Sequence, residues 1–124
     1  MTDAKGVAES KGKYDDDFIR SVMSIGKKAL KLLYRLNTDE ITLDEFVEGL
    51  TSLNATDMLA KYWEYDEGEG YALDVGRQIL WLISSLEKDA YHQFERYGIT
   101  AFYEDFRELR DYLLSLEKHC GMKL

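Results

Sequence analysis

The chain has 124 residues, a net charge of −8 and a single cysteine. That length suits one domain able to bury a continuous core without a metal or disulfide, and a lone cysteine excludes an internal bridge and favours a reducing compartment. The absence of proline permits a mostly helical chain, and no apolar run approaches the length of a membrane span.

Residues 1–14 are polar and aperiodic and lack the apolar core of a signal peptide, so they read as a disordered tail ahead of one helical domain over 15–124. Asp15 to Asp17 place negative charge at a helix start, and Phe18, Val22, Ile25, Ala29, Leu32 and Leu36 then recur at steps of four and three. This pattern predicts a first helix of about five turns with one apolar stripe. Lys27, Lys28, Lys31 and Arg35 gather toward its C-terminal end, where cations complement the dipole. "NTDE", residues 37–40, is a turn.

The stretch that follows, "ITLDEF", has the look of the closing half of a calcium-binding helix-loop-helix, in which a Glu occupies the twelfth loop position. With Glu45 in that place, the first, third and fifth positions fall on Tyr34, Leu36 and Thr38, none of them a carboxylate. No calcium site is expected. Thr42-Leu43-Asp44-Glu45 instead has the form of a capping box, opening a second helix with Leu43, Phe46, Val47, Leu50 and Leu53 inward.

"NAT" breaks that pattern, and Thr56 with Asp57 starts a short third helix bearing Met58, Leu59, Tyr62 and Trp63, the last two placed in the core. "YDEGEG", residues 65–70, reads as a flexible loop. Positions 72, 75, 79, 82, 83, 86, 90 and 94 are apolar and predict a long fourth helix with a bend near Lys88-Asp89, which Gly98 stops. Thr100 begins the last helix, striped by Phe102, Phe106, Leu109, Leu113, Leu116 and Cys120 and ended by Gly121. The expected fold is all-α, an antiparallel up-and-down bundle of about five helices, three long and two short.

Charge is unevenly spread. Between Asp39 and Asp74 stand eleven acids and one base, Lys61, a local charge of −10, while 13 acids and 15 bases leave the remainder at +2. Such a field repels phosphate backbones and suits a basic protein partner. Catalytic groups are sparse. His92 lies between Asp89 and Glu95, without the inward acids on other helices that a di-iron bundle requires. His119 and Cys120 are neighbours that a helix points about 100° apart, and Gly68 and Gly70 stand among acids, where no phosphate would settle. A non-enzymatic chain without metal or cofactor is expected. The candidate contact surface is Glu64, Tyr65, Asp66, Glu67, Glu69 and Tyr71, extended by Asp39, Glu40, Asp44 and Glu48, with tyrosines as anchors among carboxylates.

The segment "KKALKLLYRLNTDEITLDEFVEGLTSL", about 27 of the 124 residues, resembles the beginning of small helical immunity proteins similar to the colicin D immunity protein. There a first amphipathic helix leads through a short turn to an I-T-x-x-E-F-like capping sequence. The resemblance implies a cytoplasmic bacterial protein, a stoichiometric inhibitor that guards a producer against its own or a sister cell's toxin. Such inhibitors use acids to cover the basic, nucleic-acid-binding cleft of a nuclease, here of the RNA-cutting kind. An alternative expectation is a regulatory or adaptor bundle that takes a partner helix in an apolar groove.

Overall fold

The computed structural model describes the backbone of residues 2–63 and 71–120 and the side chains of 17–60, 74–98 and 100–118. Five α-helices follow one another: α1 (Thr2–Asn37), α2 (Leu43–Ser52), α3 (Ala55–Trp63), α4 (Tyr71–Tyr97) and α5 (Ala101–Cys120), with a 3-10 turn over Gly98–Thr100. No strand occurs among the described residues. The all-α class and the division into three long and two short helices agree with the sequence pattern. The backbone of α1 takes in residues 2–14, where a tail was expected; the side chains of that part lie outside the described residues.

Several helix ends have a local cause. The α1 terminus closes with Glu40 N–H donating to the Arg35 carbonyl at 2.8 Å and Asp39 N–H to Leu36 at 3.1 Å, a Schellman arrangement with Asp39 at φ 62°. In the expected capping box, Glu45 N–H donates to the Thr42 hydroxyl and Thr42 N–H to the Glu45 carboxylate, both at 3.1 Å. Asn54, at φ 56°, separates α2 from α3, and Met58 N–H donates to its carbonyl. The third helix therefore starts at Ala55 rather than at Thr56, whose hydroxyl is engaged elsewhere. Gly98, at φ +70°, ends α4 where expected. α4 continues as one helix through Lys88-Asp89.

Side-chain pairings fix the direction of every leg. Asn37 Nδ2 donates to the Phe102 carbonyl at 3.4 Å and Tyr34 faces Phe106, so α1 and α5 are antiparallel. Asp44 meets Tyr91 and Thr56 meets Ser84, so α2 and α3 together form one leg running back along α4. The order is up, down, up, down. α1 and α4 lie on a diagonal yet touch, because glycines remove bulk there: a Cβ on Gly76 would stand 2.8 Å from Phe18, and one on Gly26 would stand 3.4 Å from Ile79 and 2.6 Å from Leu113.

Phe18, Phe46 and Phe102 are fully buried, as are Leu33 of α1, Ile79, Leu80, Ile83 and Leu86 of α4, and Leu109, Leu113 and Leu116 of α5. Burying each such side chain contributes roughly 1.5–3 kcal/mol. The expected stripe of α5 holds over Phe102, Leu109, Leu113 and Leu116, with Phe106 half-buried. Gly121 and the side chains of Tyr62, Trp63 and Cys120 lie outside the described residues. In α1 Phe18, Val22, Ala29 and Leu36 are buried as expected, but Ile25 and Leu32 are half-buried and Leu33 is buried in their place. The stripe of α4 is rotated as well. Gly76, Leu80 and Ser84 are buried, Leu82 is only half-buried and Phe94 is 40% exposed. Gly76 and Ser84 were missed because Gly and Ser carry no apolar signal, and without them Leu80 did not extend a stripe; the contact with α1 and the pairing with Thr56 turn this side inward.

Candidate partner-binding surface

The acidic positions that the structure describes are carried by the α1–α2 turn and the outer face of α2. The Schellman closure exposes Asp39 and Glu40, and the Thr38 hydroxyl donates to the Glu40 carboxylate at 3.0 Å. The capping box then sets the phase of α2, so that Phe46 and Leu50 point inward while Asp44 and Glu48, one turn apart, point outward. Asp44 in the first turn is also favoured by the helix dipole.

Opposite these acids stands Tyr91 of α4. Its hydroxyl donates to Asp44 Oδ1 at 2.6 Å, the short distance of a bond to a charged acceptor. The hydrogen bond to Asp44, then burial and the charges of Asp44 and Glu48, push the Tyr91 phenol above its ordinary pKa. The phenol therefore stays protonated and keeps donating at neutral pH. One turn further on, Phe94 stacks on Phe102 at 6.4 Å, and Phe102 meets the edge of Phe46 at 5.7 Å. This aromatic series ties the base of α2 to the ends of α4 and α5. The acids thus stand on a rigid platform.

Asp44, Glu48 and Tyr91 are brought together, with Asp39 and Glu40 a few residues before them in the chain. Glu64, Tyr65, Asp66, Glu67 and Glu69 lie outside the described residues, as does the side chain of Tyr71. The backbone of Tyr71 opens α4, and 20 residues of helix at 1.5 Å each put it about 30 Å along the axis from Tyr91. The backbone of Tyr71 is therefore not brought beside Asp44 and Glu48. Tyr91 was missed in the sequence because it falls beside the apolar stripe, next to Ala90. An aromatic on the polar side of a long helix is the signal that could have found it. Trp81, off the stripe on the same helix, is 59% exposed.

His92 is exposed on α4 and shares a shallow pocket with Glu95 and Arg96, all three from one helix. Among the described residues no three His, Cys, Asp or Glu side chains converge on a metal position, and no helix is long and apolar enough to cross a membrane. The arrangement at Asp44, Glu48 and Tyr91 can accept hydrogen bonds from a guanidinium or ammonium group: Tyr91 occupies one oxygen of Asp44 and orients the carboxylate. No protein-family model, curated protein or solved structure matches the chain.

Proposed function

We propose that the chain is an immunity protein, a stoichiometric inhibitor that neutralises a basic nuclease toxin, of the RNA-cutting kind, in the bacterial cytoplasm. The observation that carries this reading is the Asp44–Glu48 pair with the Tyr91 hydroxyl 2.6 Å from Asp44. Two carboxylates one helical turn apart, one oriented by a phenol, imitate successive phosphates for the Arg and Lys of a nucleic-acid cleft. The −10 segment from Asp39 to Asp74 supplies the longer-range attraction that speeds encounter. Tyr91 and Phe94 supply packing among the charges.

The test is association with the basic product of the neighbouring toxin gene, measured at low and high salt. Asp44→Asn with Glu48→Gln should slow association at least about tenfold at low salt and flatten its salt dependence. Equal binding by the neutralised protein would refute the reading.

A further inference from the structure

A groove of about 500 Å³ lies between α1 and α5, lined by Lys27, Lys28, Leu30, Lys31, Tyr34 and Phe106. No acid lines it. Its aromatic part is open, with Tyr34 56% exposed and its ring 6.4 Å from that of Phe106. The three lysines are exposed, and among the described residues no ion pair involves them. The neighbouring arginines of α5 are occupied differently: Arg107 pairs with Glu104 at 3.3 Å and Arg110 with Asp111 at 3.6 Å. Lys27 and Lys31 are four residues apart and Lys28 and Lys31 three, spacings at which like charges destabilise a helix. In a chain of net charge −8, this is a local reversal of sign that an anionic ligand would relieve.

We propose that this groove docks an acidic peptide segment of a partner protein. Its carboxylates meet Lys27, Lys28 and Lys31, and one bulky apolar side chain rests on Tyr34 and Phe106. The cationic stretch from residue 27 to 34 spans only about 10 Å of helix. A peptide of a few residues fills that length, whereas a longer phosphodiester running on along α1 would reach Asp39 and Glu40 and be repelled. The site does not depend on the inhibitor reading, since it uses the opposite charge on a different pair of helices.

The probe is a fluorescein-labelled eight-residue peptide of glutamates around one tryptophan, titrated into the full-length protein at low salt. Amide chemical shifts are followed in parallel. Saturable binding with shifts concentrated at residues 27–34 and 106 is expected. Replacing all three lysines with glutamine should weaken binding at least about tenfold, whereas replacing them with arginine should preserve it. Tyr34→Ala should weaken it at unchanged charge, and Asp44→Asn should not. Absence of saturable binding, indifference to the glutamine variant, or tighter binding of a single-stranded oligonucleotide of equal charge would overturn the proposal. So would concentration-dependent self-association lost in the same variants, which would assign the groove to a second copy of the chain.

Discussion

On the α2–α4 side, Asp44 accepts a 2.6 Å hydrogen bond from the Tyr91 hydroxyl and stands two residues before Phe46, which is buried against Phe102; on the α1–α5 side, Lys27, Lys28 and Lys31 line a groove with the exposed Tyr34 and the half-buried Phe106. Asp44 is oriented before any partner arrives, so less side-chain freedom is lost on binding at that position. The basic side has charge without orientation and exposes its aromatic contact. The first is suited to a fixed partner geometry and the second to a short segment that adapts to it.

The largest separation between the two regions is expected from their aromatic supports. Phe46→Ala should destabilise the protein by about 3–5 kcal/mol, because Phe46 is fully buried against Phe102. Phe106→Ala should cost only about 1–2 kcal/mol, because Phe106 is half-buried. Urea unfolding followed by circular dichroism measures both. Equal losses would show that the groove is as firmly supported as the acidic face.

Asp105, the residue before Phe106, sharpens the electrostatic side of the comparison. Burial, then the charges of Glu108 and Glu104, push its carboxyl up to about 6, and Oδ2 is buried with no hydrogen-bond partner among the described residues. No cation contributes to the shift, so the groove's lysines leave this acid uncompensated. The folded carboxyl binds its proton more tightly than the unfolded one, near 3.8, so its share of stability is full below pH 4 and is lost as pH rises to 6. Asp105→Asn should therefore stabilise the protein at pH 7 by about 1–2 kcal/mol, discounted for the half of the group that solvent reaches. The gain should vanish at pH 4. Urea midpoints at the two pH values decide it.

A smaller effect is expected at the capping box. Thr42→Ala should cost about 1 kcal/mol, and because the box sets the phase of α2, it should also loosen the Asp44–Tyr91 contact. The Tyr91 phenol should then titrate closer to its ordinary pKa, as read by ultraviolet absorbance. Binding of the acidic peptide to the lysine groove should not change.

How much of this could be read from the sequence depended on whether a local rule decided the outcome. The capping box and the Gly98 stop are set by short-range backbone chemistry, and Thr42, Glu45 and Gly98 stand in the structure as their residue types require. The stripe of α5 was likewise legible from Phe102 to Leu116, and that of α1 in part, since Leu33 is buried where Leu32 was expected. The inward side of α4 was not, because Gly76 faces Phe18 and Ser84 shares a 2.7 Å hydrogen bond with Thr56, and in both tertiary pairings the α4 position has no apolar signature. Asp44 and Glu48 could be placed outward by helical spacing, but their partner Tyr91 is 47 residues from Asp44 in the chain. The lysines of the groove were read only as helix-end charges. Their isolation from acids depends on what α5 brings alongside them.

The smallest expected effect on stability falls on Asp39, and it is informative because its sign is the reverse of the usual. Asp39 occupies a left-handed conformation, φ 62°, at the C-terminus of α1. Glycine adopts this backbone without the cost a side chain incurs, and a negative charge at a helix C-terminus opposes the dipole. Asp39→Gly should therefore stabilise the protein by about 0.5–1 kcal/mol in urea unfolding. If the acidic side is a contact surface, the same change should slow association with a basic toxin at low salt, so that stability rises while binding falls. Asp39→Asn separates the causes: it retains a side chain that tolerates the left-handed region and removes only the charge, so it should match glycine in the binding loss and give less of the stability gain. A glycine variant that is more stable and binds as fast as the parent would remove Asp39 from the surface and confine the contact to Asp44, Glu48 and Tyr91.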